Sequence, residues 1–373
     1  MADNKENKVL NVPALRFSEL TEEWKDTTLD NECTINPTSD KLKAEFVYID
    51  LESVEKGELT KKQVIEKASA PSRAQRVLQN GDVLFQCVRP YKKNNYLVKD
   101  VSPEIQWVAS TGYAQLRTKK NNPAFIYHLL NTSSFNKKVI VRCTGSSYPA
   151  INSDDLSKIH FYICGIEEQK RIADFLSLLD ERIATQNKII EKLETLIKGI
   201  IETVISLQKP NTLIKNCLFC NSSTLQKSQV TETGTFPVYG ATDIGGYTEA
   251  PDVNGESILI IKDGSGVGTV KYVTGEYSYI GTLNRLTAKD GYCLKYIYFA
   301  LQEFSFEPYK TGMAIPHIYF KDYGKAKIFC PNLKQQFEIA KELSNINDKI
   351  EVEKQILLCL QKQKLYLLSQ LFL

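Results

Sequence analysis

Two nine-residue stretches, TGSSYPAIN (Thr144–Asn152) and TGMAIPHIY (Thr311–Tyr319), share one frame 167 positions apart. Thr, Gly, Pro and Ile recur in place, and the residues between them do not. The same offset continues without a gap: Asp155 meets Asp322, Lys158 meets Lys325, Gln169 meets Gln336, Ile172-Ala173 meets Ile339-Ala340, and Ile183 meets Ile350. It runs until Ser206 meets the last residue, Leu373. A period this long excludes a solenoid, whose units run to ~20–50 residues. It implies two whole domains, each ending in the same kind of tail. Upstream of the turn, Ile126-Tyr127 aligns with Ile297-Tyr298 only if the offset changes, and beyond that the halves diverge.

The tails carry a heptad pattern. Ile172, Leu179, Gln186, Leu193, Ile200 and Leu207 interleave with Leu176, Ile183, Ile190, Ile197 and Val204, and only Gln186 among them is polar. The second copy reads Ile339, Ile346, Glu353, Leu360 and Leu367, interleaved with Leu343, Ile350, Leu357, Lys364 and Leu371. Such spacing is the seam of a coiled coil. Gly165 and Pro331 mark the predicted helix starts, and Pro210 stops the first helix. A helix from 166 to 207 spans roughly 63 Å. So apolar a seam needs a partner, and the other copy is the nearest one. Gln186 and Glu353 occupy the same seam position, where a polar residue either pins the register or marks an opening to solvent.

The regions between the tails read as short strands and turns. GDVLFQCVRP and ESILIIKDG are apolar β-rich runs, KVIVRCTG and KAKIFCP follow the same pattern, and helices are predicted over Pro123–Leu130 and Tyr292–Leu301. Mixed α+β domains with a largely antiparallel sheet fit this order. The net charge of +3 excludes little, but residues 80–165 hold eleven Lys/Arg against five Asp/Glu. A basic segment with Tyr91 and Tyr96 interleaved suits a phosphate-binding face, as it also suits a solvated lysine-rich surface. No run of eighteen apolar residues predicts a membrane span. The opening MADNKENKVLNVP lacks a leader's apolar core. Nine scattered cysteines, with one isolated CxxC at Cys217–Cys220, point to reduced thiols in a cytoplasmic protein.

Catalytic patterns are sparse. Gly264, Gly266 and Gly268 follow a strand as in a phosphate cradle, but the Lys-Ser/Thr of a P-loop and the following helix are missing, so a hairpin tip is the expected form. His128, His160 and His317 stand apart from ligand-spaced partners and are expected at or near the surface. Asp154-Asp155 and Glu167-Glu168 suit the positive end of a helix dipole.

The opening VPALRFSELTEEWKDTTL, the segment EEQKRIADFLSLLDERI and its echo KQQFEIAKELSNINDKI resemble the specificity subunit of type I restriction–modification systems. Nearly the whole chain takes part. The resemblance implies an α+β architecture of two target recognition domains, each followed by a long helix, with the helices paired as an antiparallel coiled coil. The expected boundaries are 12–165 and 209–331 for the recognition domains and 166–208 and 332–373 for the helices. It further implies a non-enzymatic subunit that reads a bipartite double-stranded DNA target and recruits two methyltransferase subunits, expected near Gln169 and Gln336, and through them restriction subunits. S-adenosylmethionine and ATP belong to those partners, and no cofactor to this chain. The competing readings are a coiled-coil protein scaffold that binds no DNA and an enzyme with a diverged nucleotide site at Gly264–Gly268.

The expected DNA contacts are Arg89, Lys92 and Lys93 after a strand end, and Arg142, Ser146, Ser147 and Tyr148 in or beside the repeated turn. In the second half they are Met313, Ala314 and His317 in that turn, Lys262, Ser265 and Lys271 around the glycine-rich hairpin, and Arg285. Long cations position phosphates, while Arg142 and Arg285 are the candidates for guanine.

Overall fold

The computed structural model describes residues 11–373, so most of the polar opening segment discussed above lies outside the described residues. Among the described residues the chain forms two compact units, residues 11–185 with 357–373, and residues 186–356. Both boundaries fall inside long helices.

The first unit holds two four-stranded sheets. One orders Gln63–Glu66, Glu45–Ile49, Gln106–Ser110 and Ala74–Val77, with its central pair parallel. The other orders Cys33–Ile35, Tyr113–Thr118, Val83–Gln86 and Tyr96–Leu97, antiparallel throughout. The second unit repeats both sheets strand for strand. Its orders are Asp243–Thr248, Phe236–Gly240, Glu276–Tyr279, Val253–Asn254, again with a parallel central pair, and Leu218–Ser222, Leu283–Ala288, Ser257–Ile261, Val270–Val273. The repetition therefore covers the halves that diverge in sequence. Val83–Gln86 and Ser257–Ile261 are buried at every position and paired on both edges, which is why these apolar runs form central strands.

One segment departs from its predicted form. Lys138–Val141, read as part of a strand, closes the helix Ser133–Val141. The Thr132 hydroxyl caps that helix by accepting from the Phe135 N–H at 3.2 Å. Phe135 and Val139, four apart, are both buried. The cap and this i,i+4 pair outweigh the β-branched composition. The helices Pro123–Leu130 and Leu294–Gln302 lie where the spacing puts them.

The first long helix runs Ile166–Ile201 and ends in a π-helical segment, Glu202–Ser206. The second runs Leu333–Gln370, two residues after Pro331. Within the first unit Ile172, Leu176 and Leu179 share one core with Leu360, Leu367, Leu371, Phe372, Trp24 and Phe125, while Ile183 packs at its edge. Within the second unit Ile190, Leu343 and Ile350 are buried, and Leu193, Ile339, Ile346 and, in the first unit, Leu357 are half-buried. At this end of the helix Ile201 and Ile205 are buried in the second unit's core, and Leu207 is 72% exposed. Gln186 and Glu353 meet inside this second unit. The Gln186 amide donates to the Glu353 carboxylate and, at 3.1 Å, to its backbone carbonyl. Lys349 lies 2.6 Å from the same carboxylate. Of these donors Lys349 does most to hold the Glu353 pKa below its ordinary value, with Gln186 next. The polar seam position is thus a closed hydrogen-bonded layer. Among the described residues no helix is long and apolar enough to cross a membrane.

Candidate nucleic-acid interface

The repeated turn has one construction in both units. Gly145 and Gly312 take φ of +88° and +86°, a left-handed conformation that suits glycine. A Cβ on Gly312 would stand 2.4 Å from the Ile315 carbonyl oxygen, and one on Gly145 would stand 3.1 Å from that of Tyr148. Two backbone hydrogen bonds close each loop, Thr144 with Ala150 and Thr311 with His317, at 2.7–3.0 Å. The Pro149 carbonyl accepts from the Arg89 N–H at 2.8 Å, and the Pro316 carbonyl accepts from the Gly264 N–H at 3.0 Å. Ile151 and Ile318 are 3% and 1% exposed and anchor the loops in the cores. The recurring residues are the parts that close, tie and anchor the loop. Ser146, Ser147 and Tyr148 in one unit, and Met313, Ala314 and Ile315 in the other, project into solvent.

These ties also align the strand ends beside the loops. Ile151 donates to the Cys87 carbonyl, and Ile318 donates to that of Lys262. Arg89 and Gly264 therefore hold equivalent places, and both have positive φ, 54° and 104°. For glycine this is unstrained, whereas for arginine it costs about 1–2 kcal/mol.

In the first unit the Arg89 guanidinium lies 4.3 Å from the Tyr148 ring centroid, a cation–π contact beside the exposed loop. Lys92 is exposed on the 3₁₀ turn Pro90–Lys92. Lys93 is half-buried, and its ammonium donates to the Asn131 carbonyl at 3.1 Å, at the end of the helix Pro123–Leu130. Burial lowers its pKa. Arg142 is exposed and donates to the Lys138 carbonyl at 3.0 Å, on the last turn of its own helix. Arg89, Lys92, Tyr148 and the two serines thus belong to one neighbourhood, and the Lys93 ammonium is turned to the fold.

In the second unit the glycine-rich segment forms the hairpin tip between Ser257–Ile261 and Val270–Val273, with Ser265 exposed. His317 Nδ1 lies 2.7 Å from Asp263, tying the loop to that hairpin. Lys262 is half-buried at the strand end. Lys271 pairs with Asp243 and lies 4.7 Å from the Tyr239 ring centroid. Arg285 is half-buried in Leu283–Ala288 and donates to the Ser257 hydroxyl at 2.7 Å. His317, Met313 and Ala314 stand together with Asp263, whereas Arg285 is held at a central strand. Sequence reading missed Ile315, 58% exposed, and Tyr319, 48% exposed, with the Lys321 ammonium 5.3 Å from its ring centroid. Both lie within the quoted stretch, Ile315 in its variable middle and Tyr319 at its end.

Several residues expected at the surface are internal. Gln169 and Gln336 are each 2% exposed. Gln169 accepts from the Asn122 N–H and donates to Asn121 and the Cys164 carbonyl at 2.9–3.0 Å. Gln336 accepts from the Cys293 N–H and donates to the Pro331 carbonyl at 2.8–3.0 Å. In both units this glutamine pins the start of the long helix to the start of a shorter one. Its side chain is consumed there. Glu168, also buried, forms a two-pronged pair with Arg16, each contact 2.7 Å. His128 is 1% exposed, and burial lowers its pKa to about 3. Among the described residues no group of three or more His, Cys, Asp or Glu side chains could hold a metal ion.

The family model described as "Type I restriction modification DNA specificity domain" matches residues 22–195 and 217–362. The chain is 24% identical over 170 residues to the specificity subunit of the type I restriction enzyme HindI from Haemophilus influenzae, an alignment covering 44% of this chain and 34% of that protein. The match thus spans about a third of the relative's length. The fold resembles the crystal structure of a type I restriction–modification S subunit from M. genitalium, with TM-score 0.67 and 17% identity over 97% of this chain and 99% of that one. It also resembles a chain solved in work on complex assembly and conformational transition of the type I R-M system, with TM-score 0.54 and 21% identity over 94% and 98%.

Proposed function

We propose that this chain, which belongs to the type I restriction modification DNA specificity family, reads a two-part double-stranded DNA target with its two units, one half-site each. The observation that carries the reading is the repeated loop, which has the same closing bonds, the same left-handed glycine and the same buried isoleucine in both halves but a different exposed tip. Constant construction under a variable tip is what a pair of half-site readers requires. Arg89, kept in a strained backbone conformation where the other half has glycine, supports a side-chain duty at this loop.

In this reading Arg89 and Lys92 bind phosphates, and Arg142, Ser146, Ser147 and Tyr148 meet base edges. In the second half Met313, Ala314 and His317 do so, with Lys262, Ser265 and Lys271 beside them. The subunit is a reader in the cytoplasm and not a catalyst. Two like units suit two copies of one partner, so it binds two methyltransferase subunits, which carry S-adenosylmethionine, and through them the ATP-driven restriction subunits.

The test is duplex binding by the reconstituted complex across a salt series, with methylation-site sequencing as the specificity readout. Lys92→Ala weakens binding to all sequences and flattens the salt slope by about one unit. Arg142→Ala costs ~1–3 kcal/mol on the true target and relaxes one position of one half-site. Salt-independent binding by the wild-type complex, or an undivided motif, would overturn the reading.

A further inference from the structure

The two loops differ in chemistry while sharing geometry. A single exposed apolar side chain is ordinary on a protein surface. Here Met313 is 105% exposed and Ile315 58%, on a three-residue tip where the other unit carries two serines and a tyrosine. The tip is not loose. Two hydrogen bonds close its base, the Pro316 carbonyl ties it to Gly264, and Ile318 anchors it in the core. The Met313, Ala314 and Ile315 side chains offer only hydrocarbon and a thioether, so they cannot read a base by donating or strongly accepting a hydrogen bond. On the edges of base pairs the one apolar feature that distinguishes sequence is the 5-methyl group of thymine in the major groove. Lys321, beside Tyr319 just past the loop, supplies positive charge for the flanking phosphates.

Resting on the assignment of DNA reading above, we infer that the second loop recognises thymine methyl groups through Met313 and Ile315, while the first reads polar base edges. The half-site read by the second unit therefore contains at least one A·T pair selected by its methyl, and the choice of that pair is set by apolar contact and not by hydrogen bonding. The fixed loop base keeps the tip organised before DNA arrives, so little ordering accompanies the contact.

The experiment uses the full chain reconstituted with its methyltransferase partners. Methylation-site sequencing first gives the motif. Duplexes are then made with deoxyuridine for thymine in one half-site at a time, which removes only the methyl groups. Replacement in the second unit's half-site is expected to lower affinity about fourfold per contacted methyl, the cost of losing one buried carbon. The double variant Met313→Ala with Ile315→Ala binds the thymine and deoxyuridine duplexes equally. Both side chains are in solvent, so its melting temperature stays that of the wild type. A motif whose second half lacks A·T pairs, or a deoxyuridine effect that persists in the variant, overturns the inference and leaves the DNA-reading assignment standing. Variant binding that falls equally on every sequence also overturns it, and points to a wedge between base steps. Wild-type complex that binds no duplex removes the reading on which the inference rests.

Discussion

Arg89 and Gly264 are one position in two copies, and the contrast separates stability from function at a single residue. Arginine at a left-handed φ is strained, and glycine is not. Arg89→Gly relieves that strain and gives up backbone entropy of similar size, so stability should stay within about 1 kcal/mol of the wild type. DNA affinity should fall for all sequences, because the cation over Tyr148 is gone. Denaturant melting and a salt-series binding assay check the two halves of this prediction. His128 offers a second residue-scale test. It is buried near Ser177, Asp180, Lys364 and Lys99, and burial takes its pKa from 6.5 to about 3. The folded state keeps it neutral where the unfolded chain takes up a proton. Its contribution is therefore complete above pH 6.5 and is lost as pH falls. Between 6.5 and about 5, stability should drop by ~1.4 kcal/mol per pH unit, and His128→Gln should flatten that slope. An unchanged slope in the variant would place the titration elsewhere.

At the scale of elements the long helices were the most legible part of the chain. Their seam is a local pattern, since a heptad repeat states which face is buried wherever the partner comes from. Seam positions are not equal, however, and only packing ranks them. Ile350 is 4% exposed inside the second unit, and Ile183 sits half-buried at the edge of the first unit's core. Ile350→Asp should cost about 3–5 kcal/mol and Ile183→Asp roughly half of that, because a buried unpaired charge finds no water. Urea titration of both variants gives the comparison, and equal losses would mean that the seam opens at Ile350. Lys138–Val141 shows the opposite case. Four residues of strand composition fold as helix because the Thr132 cap and the packing of Phe135 against Val139 act on them, and Thr132 and Phe135 both lie outside the four.

For the molecule as a whole, both unit boundaries fall within the two long helices. If the helices set the interval between half-sites, inserting one seven-residue repeat into each at matched seam positions should lengthen the unread spacer of the motif by about 10.5 Å of helix, roughly three base pairs at 3.4 Å each. Both half-sites should stay the same. Methylation-site sequencing checks this, and a changed half-site over an unchanged spacer would refute that role for the helices. By itself the sequence determined the duplication, the seams except at the end of the first helix, the central strands and the Thr-Gly…Pro-x-Ile frame, because each is a pattern carried by neighbours in the chain or by a fixed offset. The tertiary structure alone decided that the divergent halves share one strand order, and that the Gln169 and Gln336 side chains are internal ties. It also decided that Arg89 stands where Gly264 does, and that Glu168 answers Arg16. These depend on pairings between residues far apart in the chain. A strand needs only alternation and burial to keep its place in a sheet, so its letters can change completely while its neighbours stay the same.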